Sequence, residues 1–508
     1  MSLENLLKPL GLLALPVLLL TAGGTRHPSF ERKLPKELQP EHALNRLAFG
    51  PRPGDVERVR KLGLNRWIDE QLHPAGIAVN PLLAERLAPL QTINLTTAQI
   101  AEQFPLRAGA RKGKKKDVST PVAKQPGRPG AIVGAELVEA KIYRAIYSDR
   151  QLEEVLVDFW FNHFNVYLNK GPERLMVTSY ERDAIRPFVL GRFGDMLRAT
   201  AKHPAMLFYL DNWQSVDPKA MAAITRRRAA GGNKQLVKRA RGLNENYARE
   251  LMELHTLGVD GGYTQQDVVE VARCFTGWTL RDPRRGASYL FAPMLHDQTA
   301  KTVLGHPIAA GRGEEDGLEV IDILARHPAT ARFISRKLAQ RFVGDQPPQA
   351  LVDRMAAAFT KTQGDLREVM KTMIASPEFF SEGAYRSKLK SPFEMVISAA
   401  RALDAGVTSA KPLSSRIDAL GQPLYRKEEP TGYHNTADEW TNTAGLVGRM
   451  NFATALAGNQ LPGAQVDATR YRPPSAVRLE IEKRLEGRQP TPELIAGLAI
   501  GSPEFQRR

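Results

Sequence analysis

Residues 242–280 read GLNENYARELMELHTLGVDGGYTQQDVVEVARCFTGWTL, and no other stretch gathers so many ionisable, glycine and aromatic residues into one helix–turn–helix outline. The spacing predicts a helix from about Asn244 to Leu257, ended by Gly258, which adopts the left-handed conformation without steric cost. Gly261 and Gly262 loosen the turn. Thr264 and Asp267 then form a capping-box pattern ahead of Val268, Val269, Val271 and Ala272, so a second helix is expected. At 100° per residue, Asn246, Glu250 and Glu253 fall on one side of the first helix with Arg249 beside them, whereas Tyr247, Ala248, Leu251, Leu254 and His255 fall on the other. A single regular helix therefore cannot aim both glutamates and His255 at one ion. ExxExH also differs from the i, i+3 Glu–His spacing of di-iron bundles. Any site here must recruit residues from elsewhere in the chain.

Two further helical stretches carry chemistry. From Ala135 to Tyr167 the pattern is strongly helical. Within it, Leu152, Leu156, Phe159 and His163 share one face while Asp158, Asn162 and Asn165, all from DFWFNHFN (158–165), share another. A helix apolar on most sides is buried, and its polar residues must find partners, because an unpaired buried polar group costs roughly 1–3 kcal/mol. The stretch is thus either an internal polar network or part of a functional site. Residues 180–213 give a helix before Pro187, a second over Phe193 to Lys202 and a third opening at Pro204. His203 there is either an N-cap or a functional group, and Asp211 and Asn212 end the last helix. A short irregular or β-like segment at Tyr289 to Gly305 displays His296, Asp297 and Lys301, and loops are where reactive groups tend to be shown. Ser376-Pro377-Glu378-Phe379 recurs as Ser502-Pro503-Glu504-Phe505, each a helix-start signal with Ser as cap and Pro in the first turn.

The 508 residues carry a formal charge of +16, and its placement matters. Residues 106–130 and 218–244 hold sixteen bases and one acid between them, nearly the whole excess. Both lack a sustained apolar period and read as long loops able to hold anionic polymers by charge. At the N-terminus, Lys8 and Pro9 precede an apolar run from Leu10 to Leu20 and the small residues Thr21 to Gly24. The run is shorter than the ~20 residues needed to span a bilayer as a helix, so it reads as a secretory signal peptide, with export to the periplasm or beyond. That setting favours an envelope polyanion over nucleic acid as partner and leaves membrane contact to the signal segment. Cys274 is the only cysteine, which excludes an intrachain disulfide and reads as a core thiol. P-loop, dinucleotide, HExxH, GxSxG and paired CxxC motifs are all absent. The residue types are compatible with a divalent metal, but no ligand spacing diagnoses one.

These patterns predict a mainly α protein, a large multi-helix orthogonal bundle with long loops and little or no sheet. Its expected parts are a signal peptide (1–24), an N-terminal helical unit (25–105), a basic loop (106–132), a helical core with the main motifs (133–385) and a C-terminal helical region (386–508). HALNRLAFGPRPGDVERV, DFWFNHFNV, YERDAIRPFVLGRFGDML, ATAKHPAMLFYLDN, the 242–268 stretch, ARCFTGWTL, HDQTAKTVLG and SPEFQRR, in that order, resemble the large bacterial family called domain of unknown function 1800. The resemblance covers nearly all of the chain after residue 24, except the Lys-rich insertion at 106–130. It implies a mostly helical, often exported bacterial protein, without an established activity. It also implies a shared pathway with an exported sulfatase-like or phosphatase-like partner.

Two functions follow as expectations. One is a hydrolase whose site forms where the 158–163 and 246–255 segments meet, with His203 or the 296–301 loop assisting. Glu250 or Glu253 would be the general base, His163 or His255 its partner or a metal ligand, and Arg249 an anion clamp. The other is a non-catalytic envelope or assembly factor that holds an acidic polymer or partner through its basic loops.

Overall fold

The computed structural model describes residues 29–105, 129–229, 242–441, 443–485 and 489–508. Among the described residues, 23 α-helices and ten short 3-10 or π segments account for most of the structure, and the fold is mainly α. Among the described residues, sheet is confined to three two-stranded antiparallel ribbons: Trp278–Arg281 with Ser288–Phe291, Lys301–Val303 with His306–Ile308, and Gly406–Val407 with Ala464–Gln465. The expected signal segment and the 106–128 part of the first basic stretch lie outside the described residues.

The organising stretch folds as its sequence signals predict, with one change. Asn244 caps the helix by accepting from the Tyr247 amide at 3.2 Å, and regular α-helix runs over Glu245–Glu250. It then continues through Leu251–Thr256 as π-helix, where the Thr256 hydroxyl donates to the Leu251 carbonyl at 2.7 Å. Gly258 has φ of +82° and packs so tightly that a Cβ would lie 2.8 Å from the Phe333 ring. Glycine is therefore required there on two counts. Thr264 and Asp267 make the full capping box ahead of Gln265–Cys274, whose Cys274 is buried as expected.

Elsewhere the structure differs from the sequence pattern in three places. Residues Pro218–Ala229, expected as loop, are helical, because alanines and arginines are good helix formers even without an apolar stripe. The helix after the first basic stretch already begins at Pro129, at the N1 position that proline favours. The repeated SPEF signal starts a helix only at Pro503–Gln506. At Ser376 the same serine-to-Phe379 amide bond closes a turn instead.

Buried apolar residues from Ala43 to Ile500 form one continuous cluster, to which the N-terminal, central and C-terminal regions all contribute. Trp160, Phe159, Phe164 and Phe193 sit at its centre with almost no exposure. Each such side chain contributes roughly 1.5–3 kcal/mol by leaving water. The helices Thr443–Ala457 and Pro492–Gly501 approach closely because Gly497 meets the Thr454 Cα. Among the described residues no helix is long and apolar enough to cross a membrane.

Candidate functional site

The helix Gln151–His163 divides the sequence candidates between two environments. His163 points inward, and its Nε2 lies 3.1 Å from the His255 carbonyl, with the two imidazole centroids 6.2 Å apart. Both rings are buried, and His163 Nδ1 and His255 Nε2 have no hydrogen-bond partner among the described residues. Burial, then the charge of Lys337, pushes His255 down to about 3 and His163 well below its ordinary value. The two histidines thus meet as expected, but as neutral rings in an apolar interior.

The carboxylates expected beside them face away. Glu253 accepts from the Tyr263 hydroxyl at 3.1 Å, and Arg249 donates to Gln265 at 2.7 Å. Glu250 is half-buried; burial and then Glu253 raise its carboxyl, while Arg249 acts the other way. Asn246 is exposed. The opposition of glutamates and His255 read from the helical period therefore persists through the π segment, and the structure does not join them into one site.

The remaining candidates occupy separate places. His203 caps the helix Pro204–Tyr209, its Nδ1 accepting from the Ala205 amide at 3.1 Å, and burial lowers it to about 3. His327 before Pro328 repeats this arrangement with Ala329. Asp211, at φ +60°, pairs with Lys170 at 3.2 Å. His296, Asp297 and Lys301 belong to a sealed network. Asp316 lies 3.2 Å from His296 and 2.7 Å from the Lys301 ammonium, and Arg273 holds Asp297 at 2.8 Å. Burial opposes ionisation of Asp297, but hydrogen bonds from Arg273 and Thr299 outweigh it and hold the carboxyl well below its ordinary range. Every strong donor here has an acceptor within the network, the arrangement that rigidifies a core.

The other face of the Gln151–His163 helix opens on a polar cleft. Asp158 pairs with Lys141 at 2.7 Å, and the lysine sits among the rings of Tyr425, Phe393 and Phe161. Asn162 exchanges two hydrogen bonds with the backbone of Tyr433, donating at 2.8 Å and accepting at 2.7 Å. Asn165 donates to the carbonyls of Lys427 and Glu429. The polar stripe read from DFWFNHFN therefore carries one charged group into the cleft and pins the loop of residues 425–440 across it. Gly432 is needed for that contact, since a Cβ would lie 2.2 Å from the Asn162 carbonyl oxygen.

Opposite Asp158 the cleft wall is strongly cationic. Arg341 and Arg508 both approach a single Glu394 oxygen, at 2.6 and 3.0 Å, and Lys388 pairs with Asp345 and the Asn435 carbonyl. Behind them Arg46 and Arg449 are fully buried and donate to backbone carbonyls instead of carboxylates. Burial also lowers the Lys388 ammonium. Buried bases thus outnumber the carboxylates beside them, and an uncompensated buried charge costs several kcal/mol. The cleft encloses about 60 Å³ of water-sized space, enough for a few waters or one small oxyanion. Among the described residues, no group of three or more His, Cys, Asp or Glu is arranged to hold a metal ion.

Lys141, Arg341, Lys388, Glu394 and Arg508 were not among the sequence candidates. The one available signal was the polar face of DFWFNHFN, because Asp158 and Asn162 needed partners that the sequence did not name.

The molecule is a mainly helical protein in which distant segments converge on a cationic, loop-covered cleft. It belongs to the family described as protein of unknown function (DUF1800), whose model matches residues 42–507. No curated protein and no solved structure matches the chain.

Proposed function

We propose that this is an exported protein that binds a small oxyanion, either free or as the sulfate, phosphate or carboxylate group of a larger molecule, in the cleft beneath residues 425–440. One observation carries this: Arg341, Lys388, Lys427, Arg508 and Lys141 line the cleft with Asp158 and Glu394, and while Lys141, Lys388 and Lys427 each have a carboxylate of their own, Arg341 and Arg508 share the single Glu394 among the described residues. Bidentate guanidinium groups suit planar and tetrahedral oxyanions, and partial enclosure strengthens each contact. Export rests on the apolar run at Leu10 to Leu20. The two basic stretches would add charge-driven capture when the anion belongs to an envelope polymer or is supplied by an exported sulfatase-like partner.

Hydrolysis of the bound group is a second reading, favoured by the position of Asp158 in the same cleft. There Asp158 is the general base, a role that the sequence pattern first suggested for Glu250 or Glu253. Calorimetric titration with sulfate, phosphate and short carboxylates tests binding: the wild type should saturate, and Arg341→Met with Lys427→Ala should weaken affinity at least about tenfold. Absence of saturable binding to all three would refute it. For hydrolysis, Asp158→Asn should abolish turnover of a sulfate or phosphate monoester while leaving binding intact, and Glu250→Gln should change neither. Loss of turnover in Glu250→Gln alone would move the chemistry to the 246–255 segment.

A further inference from the structure

Lys388, Leu389 and Lys390 pair with Gln506, Arg507 and Arg508 through backbone hydrogen bonds, forming a narrow partition. The cleft described above lies along one side. Along the other runs a larger groove of about 560 Å³, bounded by the N-terminal helices and by residues 470–477.

The floor of this groove holds an unusual cation. Lys390 is buried, its ammonium makes neither a hydrogen bond nor an ion pair among the described residues, and it lies 3.7 Å from the centroid of the Phe505 ring. Burial, opposed by the charge of Glu394 and aided by Arg386 and Arg449, brings it down to about 7. Three unused donors at the base of an open groove are the complement of an anionic ligand. The rim continues the same sign. Arg472 and Arg507 are exposed and have no carboxylate within ion-pair distance among the described residues, whereas Arg386 is already paired with Glu41.

The rest of the lining narrows the ligand class. Tyr471, Phe505 and prolines 51, 53 and 474 give flat apolar faces, and Glu57 and Glu504 give acceptors for hydroxyl groups. Flat faces that cover C–H surfaces, acceptors for hydroxyls and cations for carboxylates together describe an acidic sugar. We propose that this groove binds an acidic polysaccharide, with Lys390 anchoring one carboxylate and Arg472 and Arg507 meeting the next.

The test is binding of polygalacturonate to the full chain, measured by calorimetry at low and moderate salt beside neutral dextran and poly-L-glutamate. Polygalacturonate should bind with salt-sensitive affinity and dextran should not. The surface variant Arg472→Glu/Arg507→Glu, whose side chains are exposed, should weaken binding about tenfold or more. Lys390→Met, which keeps the length of the side chain and its contact with Phe505, should weaken it comparably without lowering the melting temperature. Binding that survives both variants, or no binding of polygalacturonate, would overturn the proposal. Equal binding of poly-L-glutamate would overturn the saccharide assignment in favour of an acidic peptide.

Discussion

Replacing Glu394 by Gln tests the charge balance of the cleft most directly. Its Oε1 is the shared partner of Arg341 and Arg508, while Oε2 accepts from the Ser391 amide in a capping box. Glutamine serves equally at the third position of that box, so the helix start is retained. What is lost is the buried carboxylate that two buried guanidinium groups share. Removing one partner of a buried ion pair costs ~3–5 kcal/mol, because the remaining charge stays desolvated. The variant should therefore unfold at a clearly lower urea concentration. An oxyanion bound between the two arginines would restore the balance, so low-millimolar sulfate should recover more stability in the variant than in the wild type. At saturation, each hundredfold excess over the dissociation constant adds about 2.7 kcal/mol. The assay is urea unfolding of both proteins with 0 and ~5 mM sulfate at matched ionic strength, a concentration at which general salting effects are small. Unchanged stability of Glu394→Gln, or equal sulfate gains in both proteins, would refute the reasoning.

Three other outcomes follow from buried polar groups. Asn162→Ala removes both bonds to Tyr433, so it should cost ~1–3 kcal/mol and speed proteolytic cleavage within residues 425–440. His255 has a folded pKa of about 3, below its ordinary 6.5, so its unfolded form binds the extra proton between those values and stability falls as pH falls through that window. His255→Gln should flatten the dependence there, as read by urea midpoints from pH 7 to pH 4. Glu173 is fully buried with neither carboxyl oxygen hydrogen-bonded among the described residues, and burial raises it well above 4.5. Its unfolded form loses the proton first, so stability falls as pH rises above that value; Glu173→Gln should remove the slope and raise neutral-pH stability by about 1–3 kcal/mol.

Local signals account for what the sequence disclosed. The caps at Asn244 and Thr264, the stop at Gly258 and the opposed faces of the 244–257 helix all depend on residues within a few positions of one another. The mainly helical class followed from the same periodicities. The π continuation over Leu251–Thr256 did not, since an apolar period near 3.6 does not reveal one widened turn. His203 shows a second limit: cap and functional group have the same spelling before proline, and only the Ala205 bond distinguishes them. The cleft was the least legible part. Asp158 could be placed on a polar face, but its partner Lys141 lies on the preceding helix, and the facing cations come from residues 341, 388 and 508. No periodicity links positions so far apart.

That dispersion has a kinetic consequence. Lys141, Arg341 and Arg508 come together only after long stretches of chain have been closed into loops, and closure entropy must be met before such contacts contribute. In refolding, the cleft should thus assemble after the Glu245–Cys274 hairpin of helices, whose contacts are local. A chain halted before its final residues would carry that hairpin and still have no complete anion pocket.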